Sequence, residues 1–135
     1  MNYTSIEQSK KLLELGLNPD TADMCYDLGE GETKAHLECE NFICYFTNNE
    51  YPECADRYIP TWSLVALLEL MPQRIYMSGA AHQFQLDKNW DNKTWQCAYD
   101  AHNSYIEKTG NTPLEAVYNM LIWLIENKFI DVQKL

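Results

Sequence analysis

The sequence is poor in positive charge. Ten Lys and Arg stand against twenty Asp and Glu, a formal net charge of −10 over 135 residues. Phosphate backbones are held by clustered Lys and Arg, so this balance argues against direct nucleic-acid binding. Long apolar runs are also missing. None approaches the roughly 20 residues that a membrane-spanning helix needs. The opening "MNYTSIEQSKKLL" has no cationic stretch followed by an apolar one, so no secretory leader is expected. Five cysteines, an odd number, fit a cytoplasmic protein with reduced thiols better than a disulfide framework. There is no linker, low-complexity segment or convincing internal repeat. Also missing are G-x-S-x-G, H-E-x-x-H, a cysteine-protease signature, G-x-G-x-x-G and G-x-x-x-x-G-K-[ST].

What is present belongs to a folded domain. The apolar fraction is 46% and the aromatic fraction 13%, which excludes a disordered chain, and the length fits a single domain over 1–135. Helices are expected in three places. "TSIEQSKKLLELGLNP" opens with a Thr4/Glu7 capping box, carries Ile6, Leu12, Leu13 and Leu17 inward, and stops at Gly16 before Pro19. "PTWSLVALLELMP" reads as a helix over 61–71, capped by Thr61 or Ser63. Its apolar surface is so wide that it calls for cover on most sides. "TPLEAVYNMLIWLIENKFI" has Thr112 as cap, Pro113 in the first turn and Glu115 completing a capping box. Its stripe is Leu114, Val117, Tyr118, Leu121, Leu124 and Ile125. Asn127 is expected to end this helix, with a short extended tail at "KFIDV".

Strands are expected between the helices. "HLECENFICYFT" can place Phe42, Cys44 and Phe46 on one face, and "RIYMS" reads as a further strand. "HQFQLDKN" alternates Phe84 and Leu86 with Gln83, Gln85 and Asp87, while "TWQCAYD" puts Trp95, Cys97 and Tyr99 on one side. "NWDNK" is the turn between them, and Gly79 marks a bulge or turn. The element order predicts an α+β fold: a single domain with an antiparallel sheet and about three helices packed mainly on one face.

Chemistry-bearing residues are scattered. His36, Cys39 and Cys44, with Cys25 or Cys54, are the only approach to a zinc set. Their spacing supplies no two compact ligand pairs, and buried thiols explain them better. His82, Cys97 and His102 can approach one another, but Cys97 alternates with aromatics and faces a core. No catalytic residue, metal or cofactor is assigned. Trp90, Trp95, Tyr99 and His82, with Tyr105 nearby, form a possible ligand platform, although aromatics more often fill the space between sheet and helix. Trp62 and Trp123, with Asn119 and Met120, are candidates for an interface with a protein partner or a second copy, because tryptophan concentrates at binding hot spots, although the fold's own loops or the C-terminal tail can equally cover Trp123. Residues 20–56 hold ten acids and, before Arg57, Lys34 alone. That is either a solvating face or a negative surface for a basic partner, even a decoy imitating nucleic acid.

The blocks "YTSIEQSKKLLELGLNPDTADM", "IPTWSLVALLELMP" and "TPLEAVYNMLIWLIENKFI" resemble three blocks of a group of small uncharacterised proteins from gut Bacteroides and their prophages. The resemblance implies a phage or mobile-element origin. It brings no assigned activity and no functional residues. The sequence therefore points to an accessory protein acting by protein–protein contact, with a small-molecule or nucleotide-binding domain and an acidic decoy as alternatives.

Overall fold

The structure, a computed structural model, describes residues 2–27, 35–37 and 58–135. The expected strand around Phe42, Cys44 and Phe46 lies outside the described residues, as do Cys39 and Cys54 and most of the acidic stretch. The α+β class holds. Among the described residues are helices α1 (Ile6–Glu14), α2 (Leu64–Leu70) and α3 (Pro113–Glu126). The strands are β1 (Met24–Asp27), β2 (Ala35–Leu37), β3 (Tyr58–Thr61), β4 (Arg74–Met77), β5 (Ala80–Lys88), β6 (Trp95–Ala101) and β7 (Ser104–Gly110). The strands are antiparallel and fall into two sheets, ordered β2-β1-β3 and β4-β5-β6-β7. Backbone packing gives two compact units, 1–66 with 132–135, and 67–131, the division falling within α2.

The first unit is held by a buried polar knot at Thr4. Its amide donates to Trp62 O (2.9 Å), its hydroxyl accepts from Trp62 N (3.1 Å), and its carbonyl accepts from the Tyr26 hydroxyl (2.9 Å). The Thr4 and Ser9 hydroxyls share a further bond of 2.8 Å. With its hydroxyl thus engaged, Thr4 does not cap α1. Ser5 does, in a reciprocal box with Gln8, so the capping box expected at Thr4/Glu7 lies one residue later. Gly16, at φ 95°, closes α1 as expected: its amide bonds Leu13 O and that of Leu17 bonds Leu12 O.

Helix α2 is shorter than 61–71. Thr61 ends β3, and Ser63 caps the helix through Ala66 N (3.2 Å). The expected cover on most sides is not found: Ala66 and Leu67 are buried, but Val65 is 63% exposed. Asp23 fixes the helix start, accepting from Ser63 N (2.9 Å) and from the Ser63 hydroxyl.

The second unit is a sheet with one helix laid on it. β4 and β5 join through Ser78 (φ 52°) and Gly79 (φ 79°), the two positive φ angles that a type I′ hairpin turn requires. Register places Phe84 beside Tyr99 and Leu86 beside Cys97, with Ile106 and Lys108 next on β7. That face is the buried one, as the alternation predicts. The outer face carries Gln83, Gln85, Asp87 and Glu107 in water. β7 was not expected. Two of its inward positions are Ser104 and Lys108, so its alternation is masked. α3 starts immediately after β7, and a Cβ on Gly110 would meet Glu115 Cβ at 2.5 Å and Ala116 N at 2.7 Å. Only a glycine admits the helix this close.

Thr112 caps α3 through Glu115 N (3.1 Å), and the Glu115 carboxylate accepts from Asn111 N (2.8 Å) rather than from the cap itself. The buried arc runs through Ala116, Met120, Leu124, Val117, Leu121 and Leu114. It is turned from the expected stripe, leaving Tyr118 and Ile125 half-buried. After α3 the expected extended tail is instead a helix stop followed by a short 3₁₀ turn at Val132–Lys134. Lys128, at φ 63°, takes the left-handed position. Its amide bonds Ile125 O, and that of Phe129 bonds Leu124 O.

Two outcomes follow for this core. Leu121→Ala, at a fully buried position, should lower unfolding free energy by about 2–5 kcal/mol in urea titration. Burial also pushes the Cys97 thiol up from its ordinary 9.0 to about 12. It raises Tyr99 as well, with the neighbouring Cys97 adding to the effect. Above about pH 9 the unfolded chain releases protons that the folded chain keeps, so stability should fall as pH rises from there. Urea midpoints followed from neutral to strongly alkaline pH should decline, and less steeply in Cys97→Ala.

Candidate functional site

The four-stranded sheet buries the middle of one face and leaves most of the other in solvent, and this decides which predicted residues can act. Tyr99 is fully buried, its hydroxyl donating to Pro72 O (2.7 Å). It stands edge-to-face with Phe84 at 5.7 Å. His82 is fully buried as well. Trp95 is half-buried on the same face with the Lys88 ammonium 5.8 Å from its ring centre. Trp90 lies on the β5–β6 loop, apart from the other three. The four residues therefore do not form one platform, because the inward alternation of β5 and β6 that groups three of them also encloses His82 and Tyr99.

The interface candidates separate in the same way. Trp62 is fully buried, its indole N–H donating to the Thr21 hydroxyl at 2.9 Å. Met120 is fully buried in the α3 arc. Neither offers a surface, since both side chains are fully buried. Trp123 is half-buried and stacked on Phe129, with ring centres 5.2 Å apart and planes 18° apart. The Lys108 ammonium lies 6.0 Å from its ring centre. This is the apolar contact that accompanies a left-handed helix stop. Asn119 is exposed, and its side-chain amide donates to Thr109 O at 3.0 Å, satisfying one carbonyl on the side of β7 away from β6.

Of the metal candidates, Cys25 is buried, and among the described residues no group of three His, Cys, Asp or Glu comes together. Cys97, fully buried, is protonated at neutral pH and pairs with neither His82 nor His102. His82 instead meets a residue that the sequence did not single out. Its Nε2 lies 2.6 Å from the Ser104 Oγ, while its Nδ1 lies 3.0 Å from Ala80 O. A carbonyl can only accept, so Nδ1 carries a proton, and in the neutral ring Nε2 then accepts from the Ser104 hydroxyl. The signal for this pair was the unrecognised strand β7, two strands away on the same face.

The opposite end of the sheet carries the most exposed large side chain among the described residues, Trp90, wholly in water. The loop that presents it is braced. Asn89 N donates to Thr94 O (2.8 Å) and Asn92 N to Asn89 O (2.9 Å), with Asn92 at φ 60°. One Asp91 oxygen accepts from Lys93 N (2.8 Å) and Thr94 N (3.0 Å), and the Thr94 hydroxyl completes the cap. These backbone donors hold the Asp91 carboxyl below the usual carboxylate range, so the brace persists into mild acid. Asn89 Nδ2 ties the loop stem to the Thr94 hydroxyl at 2.7 Å. Tyr76 and Tyr105 are also exposed, on the outer face near the other end of the sheet. No helix among the described residues is long and apolar enough to cross a membrane. Compared with protein-family models, curated proteins and solved structures, the chain has no match.

Proposed function

We propose that this chain acts by protein–protein contact, with Trp90 as the anchor, as an accessory protein of the kind its helical blocks suggest. The observation that carries this reading is a whole indole held in water on a loop that its own hydrogen bonds keep in shape. Burying a tryptophan side chain of about 200 Å² gains on the order of 5 kcal/mol at the usual area coefficient, before the costs of association. Because the brace already fixes the loop, little ordering cost falls due on binding. A fold gains nothing from leaving that area exposed, whereas a partner with an apolar pocket does. The aromatic ligand platform is not proposed, since Tyr99 and His82 are enclosed.

Trp90→Ala should leave the thermal midpoint within about 1 °C of wild type, as expected for a substitution that removes no internal contact. Tagged wild-type and Trp90→Ala proteins passed through host lysate should differ by a partner that only the wild type retains. Identical captures, or none, would contradict the proposal.

A further inference from the structure

We propose that Ser104 is an activated nucleophile that accepts acyl groups from esters or thioesters, with His82 as its general base and the Tyr105 backbone N–H as the donor to the developing oxyanion. This site stands at the opposite end of the sheet from Trp90 and is independent of the contact reading.

Three features converge. First, Ser104 is an exposed residue while its base is enclosed, so the pair stands at the border between solvent and the buried face and water does not surround the imidazole. Second, Ala80 O fixes the tautomer, leaving the Nε2 lone pair on the serine proton at 2.6 Å. A backbone carbonyl here holds the ring as a carboxylate does in the familiar triads. Third, strand geometry supplies the donor. Phe84 N bonds Gln73 O, so Phe84 faces β4 and its neighbour Tyr99 faces β7. Tyr99 therefore exchanges main-chain bonds with Ile106, and alternate residues Ser104, Ile106, Lys108 and Gly110 face β6. Tyr105, Glu107 and Thr109 face outward, and Thr109 O confirms it by taking its bond from Asn119 rather than from a strand. Among the described residues β7 is the sheet's last strand, so the Tyr105 N–H points away from β6, where no described strand pairs with it. The amide following a nucleophile is a recurrent oxyanion donor.

In the reaction, Ser104 Oγ bonds to the substrate carbonyl carbon as its proton passes to His82 Nε2. The carbonyl π pair moves onto oxygen, which Tyr105 N–H stabilises. Collapse breaks the bond to the leaving alkoxide or thiolate, which takes the proton back from His82. The product is O-acyl Ser104, which water can then hydrolyse along the same path.

The test uses an alkyl fluorophosphonate, whose phosphorus bonds to an activated serine as fluoride leaves. Intact-mass and peptide mapping of native protein should show an adduct on Ser104, absent in Ser104→Ala. His82→Gln should slow labelling by about 10²-fold or more. If His82→Gln fails to fold, Ser104→Cys takes its place, and its thiol should react with iodoacetamide below the pH range of an ordinary cysteine. The proposal is overturned if wild-type Ser104 takes no adduct under conditions that label a serine hydrolase. It is equally overturned if labelling proceeds at the same rate in folded His82→Gln, or if the Ser104→Cys thiol reacts as an ordinary one.

Discussion

The packing of α3 on one face of the four-stranded sheet is the constraint on which the rest of the second unit depends. Gly110 sets it, because the first turn of α3 occupies the space where any side chain at 110 would stand. With the helix that close, α3 packs on β6 and β7 with Leu114, Val117, Leu121 and Leu124 buried, and the strand period of two does the rest. Cys97, Tyr99 and His82 fall inside, and Gln83, Gln85 and Glu107 fall outside. Asn119 is carried to the side of β7 away from β6 by the same placement. A polar inward residue is tolerated only where it can be satisfied: Lys108 runs to the Trp123 ring, and Ser104 donates to His82.

The first unit depends on a different kind of bond. Thr4 uses its amide, carbonyl and hydroxyl together, tying the segment before α1 to Trp62 and to Tyr26 on β1. These groups are buried, so each bond prevents the desolvation cost of an unpaired polar atom. Trp62 is fixed at the other end by Thr21, whose own hydroxyl donates to Asn18 O (2.6 Å). A tryptophan that reads as surplus on a short apolar helix is thus the centre of a hydrogen-bonded core.

Local signals with a self-contained mechanism were legible from the residues. Gly16 as a left-handed stop, Thr112 with Pro113 at a helix start, and the alternation of β5 and β6 are each fixed within a few residues. Features decided by tertiary partners were not. Thr4-x-x-Glu7 and Ser5-x-x-Gln8 both match a capping box, and only the distant Trp62 decides between them. That α3 ends at Asn127 was legible, but the left-handed turn behind it was hidden, because Lys128 holds a conformation that usually announces itself as glycine. An extended tail leaves Trp123 without its partner Phe129, whereas the turn stacks the two, so the C-terminal tail and not a partner supplies that contact. Strand β7 was hidden by the inward polar residues Ser104 and Lys108, and with it the Ser104–His82 pair. Trp90 was noted as an aromatic, but its isolation in solvent is a property of the loop brace that spacing alone does not express.

Among the described strands β7 is the outermost of its sheet, and its amides alternately face β6 and point away from it. Residue-resolved hydrogen exchange of the native protein tests this arrangement most directly. The amides of Ile106 and Lys108 should be strongly protected, and those of Tyr105 and Glu107 should exchange orders of magnitude faster. Uniform protection along β7, or protection of the odd-numbered amides, would contradict the register from which both the buried face and the outward amides derive.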